Sequence, residues 1–216
     1  MKTKLLTTCC IAGLAAATLM TGVADAKEKG DWMIRARGIL VAPDAGGTSS
    51  IGGEVDIDNA VVPELDFTYF VTDNIGLELI AGTAKHHPVV NGTDLGDVPL
   101  GSVWLLPPTL TVQYHFAPKE DFSPYIGAGV NYTFFYSENT STALEDLGLT
   151  TIDYSDGFGF ALQAGLDYKI KDNWYFNVDV KKLWLNTDVS IGNDVVTADG
   201  VDIDPWIVGV GIGYLF

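Results

Sequence analysis

The chain has 216 residues, a formal net charge of −16, and 47% hydrophobic, 11% aromatic and 19% charged residues, with 24 Gly, 9 Pro and 2 Cys. That length suits one domain or two small ones. The charge argues against sequence-independent nucleic-acid binding, because a polyanion is repelled, and the frequent aromatic and β-branched residues argue against disorder.

Lys2 and Lys4 precede a stretch, residues 5–23, that is apolar or small throughout, and Ala24-Asp25-Ala26 has the small-x-small pattern of a cleavage site. This predicts a secretory signal peptide over residues 1–26. A transmembrane helix is the weaker reading, since Ala, Gly and Thr dominate the stretch and no cationic stop follows. Cys9 and Cys10 both fall inside it, so a disulfide scaffold, a Cys-ligated zinc and a Cys nucleophile are not expected in the mature chain, residues 27–216. Removing Lys2, Lys4 and Asp25 leaves 10 basic and 27 acidic residues, a charge of −17.

The remainder alternates residue by residue. Residues 32–41 set Ile34, Ala36 and Leu40 against Arg35 and Arg37. Leu65, Phe67, Tyr69 and Val71 alternate with Glu64, Asp66 and Thr68, and Leu77, Leu79 and Ala81 with Glu78 and Gly82. Leu110, Val112, Tyr114 and Phe116 alternate with Thr109, Thr111, Gln113 and His115, and Ile126, Ala128, Val130 and Tyr132 with Gly127, Gly129, Asn131 and Thr133. Phe158, Phe160, Leu162 and Leu166 alternate with Gly159, Gln163 and Asp167, and Trp174, Phe176, Val178 and Val180 with Asn177, Asp179 and Lys181. Trp206, Val208, Val210 and Ile212 alternate with Gly209, Gly211 and Gly213. Period two in eight runs predicts eight strands with one apolar face.

The connections alternate as well. Residues 73–74, 117–123 and 170–173 are short, whereas residues 43–62, 86–103, 137–156 and 186–205 are long. A transmembrane barrel has this asymmetry, with short periplasmic turns and long extracellular loops, and its strands need roughly 9–11 residues to cross a bilayer. Aromatics near strand ends, Trp32, Trp104, Tyr114, Phe116, Tyr125, Tyr136, Phe158, Tyr168, Trp174, Trp184, Trp206, Tyr214 and Phe216, predict two interfacial girdles. A soluble barrel would turn the same apolar face inward. Period alone does not choose; the leader, the loop alternation and the chain end point the apolar face to lipid. Ile212, Tyr214 and the terminal Phe216 resemble the C-terminal signal read by the outer-membrane assembly machinery, a predicted partner.

Several segments are similar to the OmpW/AlkL-like family of eight-stranded outer-membrane proteins. They are Trp32-Met33-Ile34-Arg35-Ala36-Arg37, the run 67–79 through Thr72-Asp73-Asn74-Ile75-Gly76, Leu106-Pro107-Pro108-Thr109-Leu110, Gln113-Tyr114-His115-Phe116, Pro124-Tyr125-Ile126-Gly127-Ala128-Gly129-Val130-Asn131-Tyr132-Thr133 and Asp204-Pro205-Trp206. The resemblance covers essentially the whole mature chain. It implies passage of small hydrophobic molecules across the outer membrane. It also places Ile80 at a hydrophobic constriction, opposite a position usually aromatic in the family and here aligned with Lys181. That departure sets a charge where an apolar gate is implied, and Asp179 or another lumen carboxylate is the expected partner.

Eight strands enclose an interior nearly filled by side chains, so a wide aqueous pore is not expected. A hydrophobic solute can instead leave sideways into lipid through a break in the ladder. Pro107 and Pro108, after Leu106, lack N–H groups. They either open such an exit or only end strand pairing. Arg35 and Arg37 share a face, and Glu64, Asp66 and Glu78 lie on neighbouring strands, which predicts a lumen charge network plugging the periplasmic half.

Other chemistry finds little support. His86 and His87 lie beside a loop with Asp94 and Asp97, but adjacent strand residues point to opposite faces. No Ser–His–acid set or phosphate loop is evident, and no metal or cofactor is predicted. The four long connections hold 16 acidic residues and no Lys or Arg. This is either a solvated rim or a surface for divalent-cation bridging to lipopolysaccharide phosphates. The sequence therefore predicts a signal peptide followed by an all-β, eight-stranded antiparallel transmembrane barrel in the outer membrane. Its leading function is a conduit for small hydrophobic solutes, without catalysis. The rivals are a closed structural or receptor protein whose acidic loops bind a partner, and an outer-membrane enzyme acting on lipid.

Overall fold

The computed structural model describes residues 27–216, so the leader expected over residues 1–26 lies outside the described residues. The alternating runs form strands because each buries only one face. In chain order the elements are β1 (Trp32–Ala42), β2 (Glu54–Asp56), β3 (Ala60–Phe70), β4 (Ile75–Gly82), β5 (Ala84–His86), β6 (Val89–Thr93), β7 (Gly96–Pro99), β8 (Gly101–Leu106), β9 (Thr109–His115), β10 (Phe122–Thr140), α1 (Thr142–Asp146), β11 (Ile152–Tyr154), β12 (Gly157–Lys171), β13 (Trp174–Trp184), β14 (Asn186–Ile191), β15 (Val196–Asp202) and β16 (Trp206–Leu215).

Eight of these close the barrel in the order β1-β3-β4-β9-β10-β12-β13-β16, and β16 returns to β1. Every pair is antiparallel. The closing ladder runs from Met33 opposite Leu215 to Ala42 opposite Trp206. Closure leaves the barrel no open strand edge. The turns at one end are tight. Between β3 and β4 the Thr72 hydroxyl accepts the Ile75 N–H at 3.0 Å. Between β12 and β13, Asp172 takes the left-handed conformation, φ 49°, that such a turn demands.

The long connections at the other end are more structured than a loop reading implies. They contribute two three-stranded sheets, β11-β14-β15 and β2-β6-β7. β10 runs on past the barrel, leaving β9 at Asn131 and pairing with β8 from Phe134 to Thr140. The cause is a second apolar core above the barrel, in which Val55, Val90, Val98, Leu100, Val189 and Ile191 are buried together. Short runs broken by Gly and Asp hide that core from a period-two reading.

The two faces are inverted relative to a soluble barrel. Val61 and Phe158 are each 78% exposed, while Arg35, Asp66, Glu78, Gln113 and Asp167 are 0% exposed in the lumen. An apolar outer wall with a polar interior fits lipid outside. Aromatic neighbours mark both margins: Trp174 lies 4.9 Å from Tyr214 and Tyr214 4.7 Å from Phe216 at the turn end, and Tyr132 lies 4.7 Å from Phe158 toward the loop end. Tyr125 corrects the expected girdle. It shares inward parity with Gly127 and Gly129 and is buried in the lumen, 1% exposed.

Tyr125 pairs across the ladder with Gly165, and a Cβ at 165 would collide with the Tyr125 ring. Gly165→Val is therefore expected to lower the temperature at which the folded gel band converts to its unfolded mobility, by an overpacking penalty of about 1–3 kcal/mol. Tyr125→Phe, which keeps the ring, should do less. The chain end gives a separate prediction. Leu215 packs with Met33, Phe70 and Tyr175, so its substitution would disturb the lumen. Phe216 and Phe122 are matched instead, 55% and 56% exposed on the lipid face. If the terminal aromatic is a recognition feature, Phe216→Ser should lower insertion into the outer membrane more than Phe122→Ser does; equal effects would remove that role.

Candidate functional site

The lumen of the turn half is filled by a network that starts on β1. The Arg35 guanidinium grips Asp167 through Nε at 3.0 Å and Nη2 at 2.7 Å, a forked contact that only arginine makes. Its Nη1 reaches Asp66 at 2.9 Å and donates to Thr68 Oγ1 at 2.8 Å. Arg37 lies two residues on, so on the same face. It contacts Glu64 at 2.9 Å, Asp66 at 3.0 Å and Glu78 at 3.3 Å, and donates to Asn177 Oδ1 at 2.7 Å. Lys181 bridges Glu64 at 2.7 Å and Asp179 at 2.9 Å. Lys27 closes the turn end, donating to Asp167 at 2.8 Å and Ser123 Oγ at 2.9 Å beside His115 Nδ1 at 3.1 Å. Four cations thus face five carboxylates, Glu64, Asp66, Glu78, Asp167 and Asp179.

Neutral side chains complete the plug. Tyr125 Oη donates to Asp179 at 2.9 Å, and Gln163 Nε2 to the same carboxylate at 2.8 Å. Thr111 Oγ1 donates to Glu78 at 2.9 Å. Nearly every buried charge has a partner, which burial in a low dielectric requires.

Above the plug the lumen turns apolar. Ile80 is buried on inward parity and, with Glu64 and Lys181, lines a cavity of about 50 Å³ walled by Leu183, Leu185 and Ile207. A larger apolar cavity, about 120 Å³, lies further toward the loop end among Val55, Val90, Leu100, Leu144 and Val189. The two meet at His86, Leu105 and Ile203. On the outer wall an open groove of about 300 Å³ is lined by Pro63, Leu65, Ala81 and Leu106, and it shares Glu64, Gly82 and Thr83 with the inner cavity.

That groove sits at a break in the barrel. The β4–β9 ladder ends with Ile80 opposite Thr109, and pairing resumes with Ala84 of β5 opposite Leu105 of β8. The register is unchanged across the gap. Continuing it would set Ala81 against Pro108, Gly82 against Pro107 and Thr83 against Leu106. The two prolines differ in direction. The Pro108 carbonyl accepts from Tyr132 N at 3.2 Å and so faces β10. A residue's N–H and C=O point to the same side of an antiparallel strand. Pro107 is therefore the residue whose missing N–H faces Gly82. Its carbonyl accepts from Thr109 Oγ1 at 2.9 Å.

The structure brings Arg35, Arg37, Glu64, Asp66 and Glu78 into one cluster, with Lys181 joined to it through Glu64 and Asp179. Ile80, Lys181 and Pro107 line one cavity, with Leu106 on the wall outside. Ile212 and Phe216 face lipid at the turn end, with Tyr214 half-buried between Trp174 and Phe216. Sequence reasoning left Asp167, Tyr125, Asn177 and Gln163 out of the network. Their inward parity was the available signal. Lys27 had none, since it precedes the first strand. The histidines meet a different acid from the ones nearby in sequence. His87 donates its backbone N–H to the Asp58 carboxylate and its ring lies 3.1 Å from it, while His86 Nδ1 lies 2.8 Å from the Asp58 carbonyl. Partial burial raises the Asp58 pKa, but the His87 hydrogen bonds and the two imidazoles outweigh this and hold it below the usual carboxylate value. Among the described residues no three His, Cys, Asp or Glu side chains are grouped to hold a metal ion.

A closed eight-stranded barrel, apolar outside, sealed at its turn end and apolar at its mouth, defines a small integral outer-membrane protein. Residues 28–216 match the sequence profile of the OmpW family, and the chain belongs to that family. It is 37% identical over 211 residues to outer membrane protein W of Escherichia coli strain K12, covering 95% of this chain and 98% of that one. It is 29% identical over 197 residues to the dibenzothiophene metabolism operon protein PahQ of Pseudomonas aeruginosa, covering 88% and 90%. The crystal structure of outer membrane protein OprG from Pseudomonas aeruginosa superposes with a TM-score of 0.82 at 30% identity, over 90% of this chain and 99% of that one. The short turns and described N-terminus accordingly lie at the periplasmic end, and the folded loops outside.

The plug yields a stability prediction. Lys181→Met removes a cation from two buried carboxylates and is expected to destabilise the barrel by about 3–5 kcal/mol. Adding Glu64→Gln should restore part of that loss, because it removes one of the stranded charges. Thermal conversion of the gel band measures both; equal stability of Lys181→Met and the parent protein would show that the ion pairs do not hold the plug.

Proposed function

We propose that this protein is a passive conduit through which small hydrophobic molecules enter from outside and leave sideways into the outer leaflet. One observation carries the reading: two apolar cavities and an outer-wall groove follow one another by shared residues, and the last junction lies at the ladder break beside Pro107. The charge plug blocks the straight route to the periplasm. The upper cavity is close to the roughly 150 Å³ engineered cavity that admits benzene, so the passage suits slender or single-ring solutes. The name of the relative PahQ ties that protein to metabolism of dibenzothiophene, an apolar aromatic compound that agrees with this cargo in chemical kind, although its three fused rings exceed the single-ring size this cavity suits. The acidic rim is a polar surround that cations can bridge to lipopolysaccharide phosphates. Among the described residues no set in the lumen suits covalent catalysis, and the reading is one of transport rather than turnover.

Restoring the missing donor should shut the exit. Pro107→Val keeps an inward apolar side chain and returns an N–H aimed at Gly82. One backbone hydrogen bond favours the closed ladder by about 0.5–1.5 kcal/mol, so uptake of a hydrophobic solute by intact cells should fall roughly two- to tenfold. Pro108→Thr returns an N–H toward β10 and should leave uptake unchanged. Ile80→Trp fills the inner cavity and should abolish uptake. Full uptake by correctly inserted Pro107→Val would exclude the lateral route, and full uptake by Ile80→Trp would exclude the lumen altogether.

A further inference from the structure

Five buried side-chain polar atoms among the described residues lack a hydrogen bond. Two of them, Asp66 Oδ2 and Asp179 Oδ1, sit in ion pairs with Arg37 at 3.0 Å and Lys181 at 2.9 Å. The other three are Asn131 Oδ1, Asn131 Nδ2 and Thr133 Oγ1. Both residues are 1% exposed and lie on the inward face of β10. Leaving a buried polar group unsatisfied is unfavourable, and the rest of this lumen is well paired. These atoms therefore mark a place where something else supplies the hydrogen bonds.

Their position says what. Thr133 lines the inner apolar cavity. Asn131 is one inward step nearer the plug, opposite Thr109 on one side and Gly159 on the other. Gly159 leaves the carboxamide room, since a Cβ there would lie 2.5 Å from Asn131 Oδ1. Thr109 contributes no competing donor, because its hydroxyl is spent on the Pro107 carbonyl. The inner cavity thus carries the Thr133 hydroxyl on its wall, with the unpaired amide donor and acceptor of Asn131 one inward step below it on the same strand, one strand away from the ladder break.

We propose that Asn131 and Thr133 form a head-group subsite, and that the conduit's preferred solutes are neutral amphiphiles: an alkyl or aromatic body with one hydroxyl. This rests on the conduit reading and specifies its substrate class. A hydroxyl both donates and accepts, which matches the Asn131 carboxamide and Thr133 hydroxyl. A carboxylate head does not fit, because Glu64 lines the same cavity and the nearby cations Arg37 and Lys181 are already bound to carboxylates. An ammonium head finds Glu64 already held by those two cations. The cavity of about 50 Å³ holds a hydroxyl head, with the body extending past Leu105 into the larger apolar space.

The test compares 1-octanol with n-octane, which share a body and differ in the head. Initial uptake of each is measured in cells producing the full-length protein, with cells lacking it subtracted. The variant Asn131→Leu/Thr133→Val keeps the branching and heavy-atom count of both side chains and removes the polar atoms. Its octanol uptake should fall about fivefold or more, the value of one lost hydrogen bond, with octane uptake unchanged or raised. Thr133→Val alone gives a smaller shift in the same direction and serves if the double variant inserts poorly. Independently, the Asn131 side-chain amide resonance of the wild-type protein in lipid nanodiscs should move on adding 1-octanol and not on adding n-octane. Equal losses for both solutes, or an Asn131 resonance that octanol leaves in place, would overturn the subsite. If neither solute enters through the wild-type protein, the conduit reading fails and the subsite's role in transport falls with it, while the resonance still reports whether Asn131 binds a hydroxyl.

Discussion

The structure depends on two arginines held inside a membrane barrel. Arg35 and Arg37 project from β1 into the lumen and are 0% and 3% exposed, and an unpaired guanidinium would not be tolerated there. Five strands answer them: β3 with Glu64 and Asp66, β4 with Glu78, β12 with Asp167, and β13 with Asp179 through Lys181, while Tyr125 of β10 ties the set together. A shift of any strand by one residue would send its carboxylate into lipid. The network thus fixes register around the barrel as well as filling it.

The same network sets what the protein can do. It occupies the periplasmic half, so the lumen is not a through-channel, and only the outer half is free to be apolar. On the proposed reading, two physical environments stacked along one barrel send a solute onward through the wall. The ladder is interrupted where Pro107 lacks a donor, and the register on either side continues undisturbed. An interruption without a register slip removes hydrogen bonds at one level while the strands above and below stay locked, which is how a barrel can open a side without coming apart. The head-group subsite of Asn131 and Thr133 lies at that level, between the apolar mouth and the charged plug.

Much of this was legible in the sequence, and the reason is the period of two. Inward parity placed Arg35, Arg37, Glu64, Asp66 and Glu78 in the lumen, the family resemblance singled out Ile80 and Lys181, and the missing proline N–H groups pointed to an interruption of the ladder at Pro107 and Pro108. The same parity would have moved Tyr125 from the girdle to the lumen, but an aromatic near a strand end reads as an interfacial residue. Lys27 was invisible, because no strand period reaches it and its partner Asp167 lies 140 residues away. The folded rim was missed because its strands are short and bury their valines against one another only after the chain has closed the barrel. The unpaired atoms of Asn131 and Thr133 could not be read from sequence at all, since satisfaction of a polar group depends on what stands opposite it. Gly159, which makes room for Asn131, is a neighbour only in the folded ladder.

The charge network fills the periplasmic half of the lumen, and the proposed lateral route depends on that seal. The decisive measurement is ion conductance of the purified full-length protein in a planar lipid bilayer. A sealed plug predicts no stable current steps in potassium chloride while insertion is verified by the folded gel mobility. A steady, reproducible conductance from correctly folded protein would show that the lumen is open, because it would require an aqueous path through Arg35, Arg37 and their carboxylates.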